Sequence, residues 1–198
     1  TGTAGGGAEV RVCVIDPEVN EPAYAVFQDG LLVEVGRIPM YAGAGRRAPG
    51  LHHEFFRRLR GLASRTDMLV IEDQYVPHGK PERIRTVKTL ISARGKVEVE
   101  WDRQGKPVEL LDPWRWTKMF ARRGGPKRRE ELLPAYRQYA RDVARRAGVA
   151  YDGTDTDIAA AICMGVWWHK ESEHGRGKDR RGDSRNRARV GIRGSCTT

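Results

Sequence analysis

The sequence predicts an α/β domain built on a mixed sheet, with an antiparallel three-stranded meander extended by parallel strands. Three observations predict it. Val10-Arg11-Val12-Cys13-Val14-Ile15 is short, apolar and rich in β-branched residues, as a strand buried on both faces is. Two further segments, Ala23-Tyr24-Ala25-Val26-Phe27 and residues 31–38, flank Asp29-Gly30, a strong hairpin signal. Residues 51–63 then show helical spacing at Leu51, Phe55, Leu59 and Leu62, and a second buried strand, Met68-Leu69-Val70-Ile71, follows. A helix between two strands marks a crossover onto the same sheet.

Composition bounds the rest. A chain of 198 residues suits one domain with a tail, and 39% hydrophobic residues suffice for its core. The net charge of +10 favours a polyanionic partner, either nucleic acid or an anionic membrane surface. No apolar run approaches the roughly 18 residues of a membrane span, and no signal-peptide pattern opens the chain. Cys13, Cys163 and Cys196 are widely spaced, the first two within apolar runs, so reduced core thiols are expected. No Cys/His spacing suggests zinc. An intracellular, cytoplasmic protein is expected.

In order, residues 1–8 are Gly-rich and expected to be a flexible N-terminal segment. The first strand ends at Asp16-Pro17, since proline cannot continue a central strand. Residues 40–49 form a loop carrying Arg46 and Arg47. Residues 74–81 form another, with Tyr75 and Lys80. A long helix is expected from Glu82 to about Trp101, with Ile84, Val87, Leu90 and Ile91 inward. Gly95 and the β-branched residues after it leave Val97-Glu98-Val99-Glu100-Trp101 open as a short strand. Val108-Glu109-Leu110-Leu111-Asp112 reads as a strand, and Pro113 opens a turn or helix with Trp114, Trp116 and Phe120. A basic loop follows, including Arg122, Arg123, Lys127 and Arg128.

Residues 130–148 form a helix, with Glu130 and Glu131 at its start and Gly148 stopping it; Leu133, Tyr136, Tyr139, Ala140 and Val143 face inward. Residues 158–168 are apolar all round, as a buried helix is. The domain is expected to span residues 9–169, and residues 170–198, nearly devoid of apolar side chains, to be a disordered basic tail.

Two buried strands ending in acid, at Asp16 and Glu72, suggest a shared site. Closely spaced carboxylates repel, and a divalent cation between them explains the pattern. A lone Asp before Pro is ordinarily a turn former, so the pairing carries the argument. The last helix opens on Asp155 and Asp157, either of which would ordinarily serve the cap.

This three-part arrangement resembles the ribonuclease-H-like fold and, within it, the RuvC-like Holliday junction resolvases. Val14-Ile15-Asp16-Pro17 with the strand after it is similar to that family's first motif, and Val70-Ile71-Glu72-Asp73-Gln74-Tyr75 to its second. Leu111-Asp112-Pro113-Trp114-Arg115-Trp116-Thr117-Lys118 is similar to the later strand and the basic helix start. Asp157-Ile158-Ala159-Ala160-Ala161-Ile162-Cys163 is similar to the last motif. Two departures stand out. Glu18 follows Asp-Pro where the family has Gly. Ala160 stands where it has a second Asp, so that Asp155 or Asp152 replaces it, the site is incomplete, or residue 160 has been changed.

The resemblance implies a mixed sheet of about five strands with helices on both faces, and a Mg²⁺-dependent endonuclease (Mn²⁺ as substitute) that resolves four-way DNA junctions as a homodimer. It implies Asp16, Glu72, Asp155 and Asp157 as metal ligands for two ions about 4 Å apart, with Asp73 behind them. Lys118 would contact the scissile phosphate and Tyr75 would stack on an unpaired base. Arg46, Arg47, Lys80, Arg83, Arg85, Lys88, Arg122, Arg123, Lys127 and Arg128 would bind phosphates without reading sequence. Its host would be a bacterium or a phage-infected cell. Two alternatives stand beside it: a nuclease on RNA or RNA–DNA hybrids, and a catalytically inactive nucleic-acid-binding module. No phosphate-binding Gly-x-x-x-x-Gly-Lys loop is present, which argues against an ATP-driven motor.

Overall fold

The sheet sets Asp16, Ala23 and Arg37 in one row across three neighbouring strands. The computed structural model describes residues 9–18, 21–39, 51–73, 84–120 and 129–179. Five strands, β1 (Arg11–Asp16), β2 (Ala23–Gln28), β3 (Leu31–Arg37), β4 (Met68–Glu72) and β5 (Val108–Leu111), form one sheet in the order β3-β2-β1-β4-β5. The first three are antiparallel neighbours; β4 runs parallel to β1, and β5 parallel to β4. Asp29 and Gly30 turn the β2–β3 hairpin at φ 49° and 82°. Both residues sit in the left-handed region that a two-residue turn of this hand requires, which is why Asp-Gly is found there.

The helices are α1 (Leu51–Ser64), α2 (Ile84–Asp102), α3 (Pro113–Thr117), α4 (Arg129–Ala147) and α5 (Thr156–Asp179). Alternation along the strands sorts them onto two faces. Val12, Val14, Ala25, Phe27, Val70 and Leu111 join a core with α4 and α5, built on Tyr136, Ala140, Ala144 and residues 159–164. Cys13, Ile15, Val26, Leu69 and Ile71 join Phe55, Leu59, Leu62, Val97 and Trp101 of α1 and α2 on the other. The mixed sheet covered on both faces is the architecture the motifs implied. Cys13 and Cys163 are buried free thiols, and burial pushes both thiol pKa values up.

The small residues of α5 let it lie close on the meander. A Cβ added at Gly165 would fall 2.0 Å from Cε2 of Phe27, so only glycine fits this crossing. Among the described residues, no helix is long and apolar enough to cross a membrane.

One open alternative is decided and two expectations are corrected. Residues 97–101 are helical and belong to α2, because Ala93, Val97 and Trp101 recur at helical spacing and all three are buried. That face covers the sheet; Leu90 is half-buried, and Ile91, expected inward, is exposed. Finally, α5 does not stop at His169 but continues to Asp179. Where it continues, Lys170 places its ammonium over the Tyr139 ring, 5.9 Å from the centroid. Lys170, Glu171 and Glu173 are good helix formers that an apolar count registers only as polarity. Residues 1–8 and 180–198 lie outside the described residues.

Candidate active site

β1 and β4 end side by side. Ile15 pairs with Ile71 in parallel register, so the next residues, Asp16 and Glu72, are neighbours about 4.8 Å apart across the strands. Each follows Val14 or Val70 by two residues, which places both carboxylates on the α4/α5 face. Both are buried, Asp16 at 7% exposure and Glu72 at 3%. Glu72 pairs with Leu111 of β5. One row thus runs Arg37, Ala23, Asp16, Glu72, Leu111 across the whole sheet.

α3 supplies a donor to this row. Asp112 caps it, accepting from the Trp114 N–H at 2.8 Å, and Pro113 pre-sets its first turn. The short helix turns Trp116 inward, where its indole N–H donates to Glu72 Oε1 at 3.0 Å. Trp116 is fully buried and packs on the Tyr136 ring of α4 at 5.1 Å.

The acidic start of α5 stands over the opposite end of the row. Asp155 is its N-cap: Oδ1 accepts from the backbone N–H groups of Asp157 at 3.0 Å and Ile158 at 3.1 Å. The same carboxylate is gripped by Arg37, Nε to Oδ2 at 2.5 Å and Nη2 to Oδ1 at 2.7 Å. Arg37 Nη2 also donates to Asp157 Oδ2 at 2.7 Å, and Nη1 to the Glu21 carbonyl at 2.8 Å. Burial by itself would raise the Asp155 pKa, but the guanidinium and the backbone donors outweigh it and hold the carboxyl below its ordinary value. The two acids in turn hold the Arg37 guanidinium above its own.

An all-oxygen donor set suits a hard divalent cation such as Mg²⁺, and Asp16 and Glu72 fit one by chemistry, face and adjacency. Asp155 is already engaged at both oxygens, Oδ1 by the cap and Arg37 and Oδ2 by Arg37. Asp157 offers Arg37 one oxygen. Among the described residues, no three His, Cys, Asp or Glu side chains gather closely enough to hold a metal ion. The four acids expected at one site are therefore divided here, Asp16 with Glu72 and Asp155 with Asp157. Asp152 instead turns its own loop, accepting from the Thr154 N–H and hydroxyl at 2.8 Å each. Ala160, one turn beyond Asp157, is fully buried in the apolar core.

The other expected residues fall as follows. Asp73 forms an ion pair with Arg94 of α2. Lys118 is exposed at the C-cap of α3, two residues from Trp116. Lys88 is exposed on α2. Arg85 lies in that helix's first turn, but its side chain is outside the described set, as are Arg46, Arg47, Tyr75, Lys80, Arg83, Arg122, Arg123, Lys127 and Arg128. Sequence reasoning missed Arg37, the last residue of β3, and gave Trp116 no role. The first carried no local signal, its partners being more than a hundred positions away; the second was visible only as part of a motif.

No family model matches the chain, and no curated protein matches it in sequence. Solved structures do match its fold. Thermus thermophilus RuvC in complex with a Holliday junction substrate superposes with a TM-score of 0.59 at 15% identity, covering 84% of this chain and 96% of that one. A second Thermus thermophilus RuvC structure gives 0.53 at 17% identity, over 84% and 97%. The yeast mitochondrial Holliday junction resolvase Ydc2 gives 0.53 at 14% identity, over 87% and 86%. The fold is that of the RuvC-like resolvases, within the ribonuclease-H-like class.

Proposed function

We propose that this chain is a Mg²⁺-dependent, structure-selective DNA endonuclease that cuts four-way junctions. The observation that carries the reading is the pair Asp16 and Glu72. Two buried carboxylates lie adjacent at the ends of parallel central strands, on the sheet face that α4 and α5 cover, in a fold shared with a junction-bound resolvase. Neighbouring buried carboxylates at the rim of a sheet are candidates for a functional site.

In this reading Asp16 and Glu72 hold the cation, and the Trp116 indole fixes which Glu72 oxygen faces it. Bound there, a divalent cation supplies charge stabilisation at the phosphorus and acidifies a coordinated water. Asp157 completes the acidic wall from α5, where Arg37 holds it. Lys118, carried on the turn after Trp116, meets the phosphate backbone. The net charge of +10 supplies sequence-independent affinity for DNA. Resolution of a junction needs two symmetric cuts, which a two-fold homodimer provides.

A second reading is favoured by one observation: Arg37 holds two of the four expected acids, and Ala160 adds no oxygen. In that reading the chain binds junctions without cutting them. A single assay separates the readings. A synthetic four-way junction, a linear duplex and an RNA–DNA hybrid are incubated with the protein over a Mg²⁺ titration. Paired cuts in the junction alone support the proposal. Cutting of the hybrid in preference makes it a ribonuclease, and salt-sensitive junction binding without cutting makes it a binding module.

A further inference from the structure

Two arginines of α4 flank the start of α5 and hold no carboxylate there. Arg137, half-buried, points both Nε and Nη2 at the Thr156 hydroxyl, at 3.2 and 2.6 Å. That edge of a guanidinium is the fork that suits a carboxylate or a phosphate, and a neutral hydroxyl leaves the charge uncompensated. Arg141 is exposed and lies against Gly153. A Cβ built at Gly153 would come 2.8 Å from the Arg141 Cζ, and the backbone there has a φ of 85°. Glycine thus both turns the loop before α5 and leaves room for the guanidinium. Among the described residues neither Arg137 nor Arg141 forms an ion pair, whereas Arg145, four positions further on, is paired with Asp142. Asp152 feels the Arg141 charge less than it feels its own bonds to Thr154.

We propose that Arg137 and Arg141 form a clamp for the backbone phosphates of a duplex DNA arm leaving the site. The inference rests on the DNA-directed reading above and adds a binding surface on α4 to it. Residues four apart on a helix are neighbours, so the two guanidinium groups stand side by side. Each is seated on the loop and first turn that open α5, Arg141 on Gly153 and Arg137 on Thr156. Thr156 lies between Asp155 and Asp157, which puts the clamp next to the acidic wall. Seating fixes the planar groups in advance, so less side-chain freedom is lost when a phosphate is bound. Neither arginine is aimed at an element that reads base edges, and the clamp is indifferent to sequence.

The test is binding of the full chain to a four-way junction and to a linear DNA duplex, in EDTA so that nothing is cut, over a salt titration. Each phosphate contact removed is expected to weaken binding roughly tenfold at 0.1 M salt and to flatten the slope of log K against log salt by about 0.9. Arg137→Gln and Arg141→Gln are each expected to show this on both DNAs, and Arg141→Lys to keep the wild-type slope. Arg57→Gln is the control for net charge alone, because Arg57 is exposed on α1 and bonded to Glu54; it is expected to change the slope far less. Should Arg137→Gln not fold, the exposed Arg141 carries the test. An unchanged slope in folded Arg141→Gln, a loss no larger than that of Arg57→Gln, or a loss seen only with an RNA–DNA hybrid each overturns the clamp while leaving a nuclease standing. Failure of the wild type to bind either DNA at low salt overturns the DNA-directed reading itself, and the clamp with it.

Discussion

Trp116 donates its indole N–H to Glu72 Oε1 at 3.0 Å, and both side chains are buried. A hydrogen bond to a buried charged group contributes about 1.5–3 kcal/mol, more than a neutral pair. Trp116 therefore links the acid at the end of β4 to the aromatic packing of α3 and α4. Trp116→Phe keeps a ring against Tyr136 and removes the donor. A double-mutant cycle with Glu72→Gln, read by urea unfolding, is expected to give an interaction energy of at least about 1 kcal/mol. Additive effects would show that the bond contributes nothing.

Asp155 links stability to pH. Its folded-state pKa is lowered, with the desolvation that would raise it outweighed by Arg37 and the α5 backbone. A depressed carboxyl contributes stability that is fully present above its unfolded value, near 4, and lost as pH falls through the lower folded value. Asp155→Asn is expected to be less stable than wild type at pH 7, with the gap narrowing below about pH 4. Urea unfolding at pH 7, 4 and 3 measures this, and a gap that stays constant across the series contradicts the pairing.

The crossing of α5 over the meander depends on Gly165. Its closest neighbour is the buried ring of Phe27, which has no free space to swing into. Gly165→Ala would gain helix propensity of about 1 kcal/mol at an exposed site. Here overpacking is expected to reverse the sign and destabilise by about 1–3 kcal/mol. A raised melting temperature would mean that α5 does not pack against β2 as described.

Much of the fold was legible in residue pattern. Val12, Val14 and Ile15 announced a strand buried on both faces, Asp29-Gly30 a tight hairpin, and Phe55, Leu59 and Leu62 the inner face of α1. Where reading was left open or failed, local propensity competed with tertiary packing. Val97 and Val99 suggest a strand by type, yet Trp101 needed a helix to reach the core. Residues 170–179 look like a tail by composition, yet continue α5. Asp16 and Glu72 were legible because a carboxylate ending an apolar run is conspicuous. Arg37 was not, because its partners lie more than a hundred positions away and only the sheet register brings them together.

The central claim is that Asp16 holds the cation while the basic surface holds the DNA. Its most direct test is Asp16→Asn, with Mg²⁺-dependent cleavage of a four-way junction and junction binding measured on the same preparation. Removing a metal-holding carboxylate withdraws several kcal/mol of transition-state stabilisation, so cleavage is expected to fall by about a thousandfold or more. Binding is expected to be unchanged or tighter, because one negative charge has been removed from a basic, phosphate-binding protein. Cleavage within about tenfold of wild type would contradict the account.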